Sequence, residues 1–339
     1  MQNAARCVTV TALLLTAAAA QAVNMELVTV GNPGNAGEWS GEGVGGFGPD
    51  RICGAVDYVY NIAGSEVTAG QYVEFLNAVA ATDPYGLYST SMWSSPYGCM
   101  IQRSGSAGSY TYSVAADWAD RPVNYVGWGD AARFANWLTN GQPSGLQTLA
   151  TTEDGSYFLN GATSNEDLMA VTREPDASYV IPSEDEWYKA AYHKNDGITG
   201  NYWDYPAATD APPSNQLIDP DPGNNANFYQ LGPTIGSPYY RTEVGEFEES
   251  ESPYGTFDQG GNVWEWNEAA ILTDNNWFRG VRGGAFSSRV GSLHAAGRTY
   301  DGPNNDAASI GFRIAQVPEP AAIAWWAFAS LVILHRRKR

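Results

Sequence analysis

The segment FDQGGNVWEW, residues 257–266, places two adjacent glycines directly before a run rich in tryptophan. Gly260 and Gly261 predict a tight loop, because glycine adopts backbone conformations that are closed to other residues. The NVWEW that follows predicts a short strand. We predict further short strands at residues 25–31 (MELVTVG), 242–247 (TEVGEF), 279–286 (RGVRGGAF) and 310–316 (IGFRIAQ).

Three other segments have the spacing of amphipathic helices. The first begins after Thr68, a candidate N-cap that forms a capping box with Gln71. The second lies in WGDAARFANWLTNG, residues 128–141, where apolar residues recur at helical spacing and a glycine ends the pattern. The third opens at Ser183, in the segment PSEDEWYKAAYHK.

The start of the third helix contains three successive acids, Glu184, Asp185 and Glu186, which could be interpreted as paired catalytic carboxylates. Acids in a first helical turn are favoured by the helix dipole, and Glu186 is placed to complete a capping box with Ser183. We therefore predict a structural role for them. His193, at the far end of the helix, is better placed to meet the C-terminal dipole than to ligate a metal.

The composition predicts one large globular domain. The chain has 339 residues, of which 43% are hydrophobic, enough to supply a sizeable core. After residue 195, loop-forming residues are scattered without sustained periodicity, and the 12 tryptophans and 20 tyrosines provide large rings for packing. No internal repeat divides the chain, so we predict a single irregular α+β domain over residues 25–316.

Both ends of the chain have the pattern of targeting segments. Residues 1–22 combine one arginine, an apolar run and a small-residue cleavage site, which predicts a secretory signal peptide and export. Residues 317–339, VPEPAAIAWWAFASLVILHRRKR, join Pro-Glu-Pro to an apolar run of about 14 residues and a basic cluster. The run is shorter than the roughly 20 residues of a stable spanning helix, and the positive charge after it would stay cytoplasmic.

That C-terminal pattern resembles the PEP-CTERM sorting signal of bacterial exported proteins. The resemblance implies that an exosortase-type membrane enzyme recognises the tail and cleaves it. Before that processing, the short C-terminal helix would hold the protein at the membrane. We therefore expect the protein in the bacterial cell envelope or the extracellular matrix.

The net charge of the predicted exported part limits its possible partners. Residues 23–320 retain 37 acidic but only 13 basic residues, a net charge of −24, which excludes nucleic acid as a favoured partner and favours cation binding.

The cysteine content predicts a disulfide. Cys7 leaves with the predicted signal peptide, so Cys53 and Cys99 remain. In an oxidising compartment such a pair predicts a disulfide.

Six segments, in order, resemble blocks of the formylglycine-generating enzyme family, also called sulfatase-modifying factors. The segments are SEVTAGQYVEFLNA, RPVNYVGWGDAARFANWL, YVIPSEDEWYKAAY, SPYGTFDQGGNVWEWNEA, RGVRGGAFSS and SIGFRIA. Together they cover roughly residues 25–316. The resemblance implies an irregular C-type-lectin-like fold with little regular secondary structure.

Members of this family that make formylglycine oxidise a sulfatase cysteine with oxygen and a Cu(I) ion held by two thiolates. Aligned from Gly283 and Gly284, the two cysteine positions correspond to Ser288 and Leu293. Cu(I) prefers sulfur ligands, so the resemblance implies that copper is not bound. His294 could line the former groove, but one imidazole does not make a copper site. Ser288 has no Ser-His-Asp context that would indicate a hydrolase.

A calcium site of the family is retained in this sequence. The resemblance places an oxygen ligand at Asp258, backbone carbonyls at Gly261 and Val263, and a carboxylate at Glu265. Calcium prefers such hard oxygen ligands. In the alternative interpretation Asp258 caps a turn and Glu265 faces solvent.

Two functional hypotheses follow. The first is a non-catalytic, calcium-stabilised binding module with an exopolysaccharide or protein ligand. The second is a formylglycine-generating-type oxidoreductase, or another enzyme acting in the same groove. The metal content of the purified protein would distinguish the two hypotheses, because copper or iron would favour the enzyme. Trp203 and Tyr205 fit a protein core as well as they fit a sugar-binding platform.

Overall fold

A computed structural model describes residues 22–318 of the chain. The predicted C-terminal segment from residue 319 onward and the predicted signal peptide up to residue 21 lie outside the described residues. Within residues 22–318, no helix is both long and apolar enough to cross a membrane.

The described residues form short elements separated by long loops. The α-helices are α1 Ala69–Val79, α2 Ser91–Ser94, α3 Ala116–Ala119, α4 Trp128–Thr139, α5 Asn165–Ala170 and α6 Glu184–Tyr192. The strands are β1 Leu27–Val30, β2 Glu38–Ser40, β3 Arg51–Cys53, β4 Tyr60–Ala63, β5 Gln102–Ser104, β6 Thr111–Ser113, β7 Tyr179–Val180, β8 Trp264–Thr273, β9 Asn276–Arg282, β10 Thr299–Asp301, β11 Ile310–Gly311 and β12 Ala315–Gln316. The α+β prediction is confirmed, and regular structure is as sparse as expected.

Two four-stranded sheets organise these elements. The first sheet has the order β1-β4-β12-β7 and is antiparallel throughout, so it joins strands from both ends of the described chain. The second has the order β10-β9-β8-β11, in which β11 runs parallel to β8 and the other pairs are antiparallel. Two separate hairpins, β2-β3 and β5-β6, complete the pairing.

The three predicted helices are confirmed as α1, α4 and α6. Thr68 and Gln71 form the predicted capping box at α1, and Ser183 and Glu186 form the one at α6. The amphipathic pattern is explained by burial of one face. Phe134 of α4 has its ring centroid 5.3 Å from that of Phe75 in α1 and 5.4 Å from that of Phe312. These contacts form the centre of the main core.

The predicted strands are confirmed only in part. Residues 25–31 contain β1, and NVWEW contains the start of β8, which continues to Thr273. The strand predicted over 279–286 ends at Arg282, because Gly283 and Gly284 have φ values of 95° and 80° and turn the chain away.

The segment IGFRIAQ does not form one strand. It divides into β11 and β12, which belong to different sheets, and the three residues between them cross from one sheet to the other. The strand predicted at residues 242–247 is wrong. Its backbone bonds instead to loops and side chains: the amide of Thr242 donates to Asn262 Oδ1, and that of Val244 donates to the carbonyl of Asp120.

Buried arginines provide hydrogen bonds that regular structure would otherwise supply. In the described part of the chain, the buried ones are Arg121, Arg133, Arg241, Arg279, Arg282, Arg298 and Arg313. Arg279, for example, donates to the carbonyls of Leu168, Val171 and Glu268. A buried carbonyl without a donor costs free energy, so these side chains stabilise the loops they contact.

The carboxylate of Glu184 is the centre of one such cluster. It is 1% exposed at the side chain and lies 2.7 Å from both Arg282 and Arg298 and 2.8 Å from Arg51. Burial by itself would raise the pKa of Glu184, but the three guanidinium groups lower it to about 2. The structural role predicted for the acids of α6 therefore extends to a buried ion network that joins α6 to β3 and β9.

We expect Glu184→Gln to destabilise the fold by about 3–5 kcal/mol at neutral pH, because it leaves buried arginines without a counter-charge. The folded pKa of Glu184 lies below its ordinary value of 4.5, so the ionised carboxylate stabilises the fold above pH 4.5. That stabilisation is lost as the pH falls from 4.5 toward 2. Urea unfolding of the parent and the variant over this range measures both effects.

A matched control is Glu243→Gln, which removes an ion pair with Arg121 whose glutamate side chain is 47% exposed. We expect it to cost less than about 1 kcal/mol. Equal losses for the two variants would contradict a special role for the buried network.

The predicted disulfide between Cys53 and Cys99 is wrong. Both are free thiols, each with 0% exposure, and they lie in separate clusters. Cys99 packs in the main core, whereas the sulfur of Cys53 lies 3.2 Å from Arg282 Nη2. Burial raises the pKa of Cys53 to about 11, so its thiolate is suppressed at neutral pH.

Thiol labelling checks this correction. We expect the native protein to resist labelling at both sites, because neither sulfur is accessible. The protein unfolded without reductant should label at Cys53 and at Cys99. Absence of label at both positions after unfolding would restore the disulfide.

Candidate functional site

The loop of residues 258–265 is packed between two other segments. The amide of Gly261 donates to the carbonyl of Gly283, and the amide of Asn262 donates to that of Asn227. Gly261 has a φ of 101°, and a Cβ there would lie 2.3 Å from the carbonyl oxygen of Asn227. The predicted tight loop therefore requires glycine at this position, both for its backbone conformation and for the close approach.

Glu265, a predicted calcium ligand, is engaged by protein groups. Its Oε2 accepts from Arg313 Nε at 2.6 Å and from Trp187 Nε1 at 2.7 Å, and its Oε1 accepts from Arg313 Nη2 at 2.7 Å. The side chains of Glu265 and Arg313 are almost fully buried. The alternative in which Glu265 faces solvent is wrong, because its carboxylate forms a bidentate ion pair in the interior.

Asp258 lies at the start of the same loop with a φ of 60°. Its Oδ2 accepts from the amide of Gly245 at 2.6 Å, so it fastens this loop to the segment near residue 245. Burial raises the pKa of Asp258 to about 6, against the opposing effects of the Gly245 hydrogen bond and Arg313. An ionised Asp258 is therefore only partly compensated by the groups around it.

These contacts fit the predicted calcium site only in part. Asp258 and the tight loop at Gly261 and Val263 offer the hard oxygens that calcium prefers. Arg313 already neutralises the charge of Glu265, so this carboxylate would attract a cation less strongly. Within residues 22–318, no three acids, histidines or cysteines are grouped as a metal site. Calcium binding here therefore stays a prediction that rests mainly on Asp258 and backbone carbonyls.

Ser288 and Leu293, which the sequence resemblance aligns with the two thiolates of formylglycine-generating members, contact other protein groups. Ser288 Oγ accepts from the amide of Ala285 at 3.0 Å, so it closes the turn after Gly284. Leu293 is fully buried against Tyr205 and Phe228. An added Cβ on Gly284 would lie only 2.8 Å from Leu293 Cδ1, which shows how tightly the leucine is packed.

The groups around these positions do not fit a copper ion. Leucine has no donor atom, and a serine hydroxyl is a poor ligand for Cu(I). His294, the predicted groove residue, is about one-third exposed, and its Nε2 lies 3.6 Å from Asp204 Oδ1. Its Nδ1 accepts from the amide of Ala296 at 3.0 Å. The imidazole is therefore held at the surface by local contacts.

The rings of Tyr97, Tyr240 and Phe286 pack together near Ser288, and Tyr229 lies on the segment that bonds to Ser288; we call these four residues the aromatic face. The ring centroid of Tyr97 lies 4.9 Å from that of Tyr240 and 6.1 Å from that of Phe286. The amide of Tyr229 donates to the carbonyl of Ser288. Tyr97 and Tyr229 are 41% and 40% exposed, so the face presents large rings to solvent.

Sequence reasoning missed the aromatic face, because its residues come from three distant segments and share no motif. Three residues considered from the sequence as candidate binding groups have other roles. Tyr205 is buried in the cluster with Leu293, so it belongs to the core. The ring of Trp203 is covered by Lys194, whose Nζ lies 3.8 Å from the ring centroid. His193 is also buried, and its Nδ1 bonds to the hydroxyl of Tyr254 at 2.8 Å.

Comparison with known proteins identifies the family. Residues 55–318 match the sulfatase-modifying factor enzyme 1-like domain, and the chain belongs to this family. No curated protein sequence matches the chain significantly.

Three solved structures are similar to this chain. CarF is 20% identical, with 87% of this chain and 99% of its own aligned at a TM-score of 0.50. Treponema denticola variable protein 1 is 18% identical, with 89% and 98% aligned at a TM-score of 0.52. PvdO from Pseudomonas aeruginosa is 18% identical, with 86% and 94% aligned at 0.48. At these identities, CarF and variable protein 1 show a shared fold alone.

The expected absence of copper-binding thiolates can be tested by assaying oxidation of a cysteine peptide. We expect the purified protein, supplied with Cu(I) and oxygen, to leave a sulfatase-type cysteine peptide unchanged, because Ser288 and Leu293 provide no thiolate. Mass spectrometry of the peptide measures conversion to formylglycine. Turnover above a protein-free control would show that other groups hold a catalytic metal.

Proposed function

We propose that this protein is a non-catalytic binding module of the sulfatase-modifying factor family. One observation carries the proposal: Leu293, which the sequence resemblance aligns with a thiolate of formylglycine-generating members, is buried in an apolar cluster. A scaffold that keeps its core but has lost the metal ligands has no evident means of oxidising a cysteine. A shared fold does not by itself establish a function, so membership of the family is not evidence for that activity.

The aromatic face is the proposed ligand surface. Tyrosine supplies a large, rigid and amphipathic contact area at low conformational cost. The packing of Tyr97 on Tyr240 and Phe286 holds its ring in place before a ligand arrives. We propose an exopolysaccharide or a protein of the extracellular matrix as the ligand, since both offer surfaces that aromatic rings contact.

Export and attachment are part of the same proposal. The predicted signal peptide would direct the protein across the membrane, and the PEP-CTERM-type tail would present it to an exosortase-type enzyme. The net charge of −24 over residues 23–320 would keep the exported protein soluble and away from other polyanions. The proposed location is the cell envelope or the extracellular matrix.

A glycan and peptide binding screen tests the function. We expect a ligand whose affinity falls about tenfold or more in Tyr97→Ala and in Tyr229→Ala, the effect typical of truncating an aromatic anchor. Trp277→Ala is the matched control, because that side chain is 54% exposed at the tip of the β8-β9 hairpin. A ligand that responds to none of these changes, or only to the control, would contradict a role for the aromatic face.

Calcium is proposed to stabilise the loop of residues 258–265. Binding to the native state adds RT ln(1 + [L]/Kd), about 2.7 kcal/mol at 100 times Kd, so millimolar calcium should raise Tm and chelation should lower it. Asp258→Asn should remove most of this response while keeping an acceptor for the amide of Gly245. Differential scanning calorimetry with calcium or EDTA measures the response.

Glu265 is a poor choice for that test, because its removal would strand buried Arg313 and destabilise the fold whether or not calcium binds. The control is Asp274→Asn, an exposed acid at the hairpin tip. If Asp258→Asn responds to calcium as the parent does, the ion binds elsewhere.

A further inference from the structure

The described part of the chain ends beside a groove that carries exposed apolar side chains. Strand β12 pairs with β7, and the amide of Val317 donates to the carbonyl of Ser178 at 2.9 Å. The backbone therefore leaves the described residues next to Ser178. Asp176, two residues before Ser178, lines a groove of about 500 Å³. Residues 319–339, which we call the tail, consequently start close to this groove.

Two apolar side chains in the groove face solvent. Phe158 and Leu149 both line it, and they are 50% and 52% exposed. Tyr157 and Leu159, on either side of Phe158, are buried, so the ring of Phe158 is the one turned outward. Phe158 also lines a second groove of about 370 Å³. The two grooves adjoin at this ring and form an extended surface with an aromatic group at its centre.

Hydrogen bonds hold the loops that form the groove. Tyr157 pairs with Arg173 as an isolated antiparallel bridge. The side-chain amide of Asn140 donates to the carbonyls of Thr151 and Asp154. The outward-facing apolar groups therefore lie on loops that are already supported, which lowers the ordering cost of binding.

The charge of the groove restricts the kind of segment that fits it. Asp154, Glu174 and Asp176 line it, and within the described chain no lysine, arginine or histidine does. None of these three acids has an ion-pair partner among residues 22–318. An anionic lipid surface would be repelled here, whereas a basic segment would be attracted. The groove therefore suits a partner that is both apolar and basic.

The tail has this composition. Residues 321–334 are an apolar run with two tryptophans and a phenylalanine, and residues 336–339 (RRKR) are all basic. As a helix the run would be about 21 Å long, shorter than the roughly 30 Å of a bilayer core. A segment tethered beside its binding surface has an effective concentration of the order of millimolar, so modest contacts are sufficient to hold it.

We propose that the tail docks in this groove while the chain is intact. Apolar side chains of the run pack on Phe158 and Leu149, and the basic end pairs with Asp154, Glu174 and Asp176. Docking covers an apolar run that would otherwise promote association in water. The groove lies on residues separate from the aromatic face, so either proposal can fail without the other.

Carbodiimide coupling of the full chain in buffer without detergent tests the contact. The reagent joins a carboxylate to a neighbouring lysine amine as an amide, and it takes up the water that is lost to become a urea. Lys338 is the one lysine of the tail. We expect mass spectrometry of the monomer to find Lys338 linked to Asp154, Glu174 or Asp176. Links spread evenly over exposed acids such as Glu251 would overturn the proposal.

Removing the apolar contacts tests docking while every carboxylate remains. We expect the yield of the Lys338 link to fall at least about fivefold in the double variant Phe158→Ala and Leu149→Ala, because burial of these side chains stabilises the docked state. The matched control is Leu272→Ala on β8, a side chain that is also 52% exposed. An unchanged yield in the double variant, or an equal fall in the control, would contradict docking.

The Tm of each variant shows whether it folds. If the double variant does not fold, Phe158→Ala alone replaces it, and we expect the yield to fall about threefold. An unchanged yield in that single variant would also overturn the proposal.

Two further results would assign the groove to another partner and overturn docking of the tail. Coupling an equal mixture of unlabelled and nitrogen-15-labelled chains should give links within one copy. Mixed-label links as frequent as same-label links would indicate a second copy instead. The absence of any Lys338 link in buffer, together with weaker binding of the double variant to phosphatidylglycerol vesicles, would indicate a membrane contact.

Discussion

The ion pair between Arg313 and Glu265 connects the parts of this fold that the backbone leaves separate. Glu265 lies in β8 of the second sheet, and Arg313 lies in the crossing between the sheets. The guanidinium also bonds to the carbonyls of Ala63 in β4 and of Phe257, while Trp187 of α6 donates to the same carboxylate. One buried pair therefore holds both sheets, α6 and the glycine loop in register.

Such a pair is stabilising only because each of its polar atoms has a partner, since burying two charges is costly by itself. The same principle recurs at Glu184 with its three arginines. A fold with long buried loops leaves many carbonyls outside helices and sheets. Arginine suits them, because it has five donors and stays charged. Hydrogen bonds from buried side chains therefore support loops that have no regular secondary structure.

Side-chain contacts also support the turn after Gly284, where Ser288 Oγ accepts from the amide of Ala285 and Leu293 packs in an apolar cluster. The sequence resemblance aligns this turn with the copper-binding segment of formylglycine-generating members. In this chain, tyrosines and a phenylalanine lie beside this turn.

The sequence by itself determined the local features of this protein. The capping boxes at Thr68 and Ser183, the apolar face of α1 and the turn at Gly283 depend on residues within a few positions of one another, so local rules predicted them. The order of the motifs was sufficient to indicate the family. The meaning of the absence of cysteine at Ser288 and Leu293 stays a prediction that rests on that resemblance.

Contacts between residues far apart in the chain could not be predicted from local patterns. Cys53 and Cys99 had a plausible pairing in sequence, but packing placed them in separate clusters. Glu265 was expected to be open to calcium or solvent, and Arg313, 48 residues later, engages it. The aromatic face likewise depends on segments far apart in the chain. The courses of the loops bring these residues together. Those courses depend on buried contacts throughout the domain rather than on the spacing of residues within one short segment.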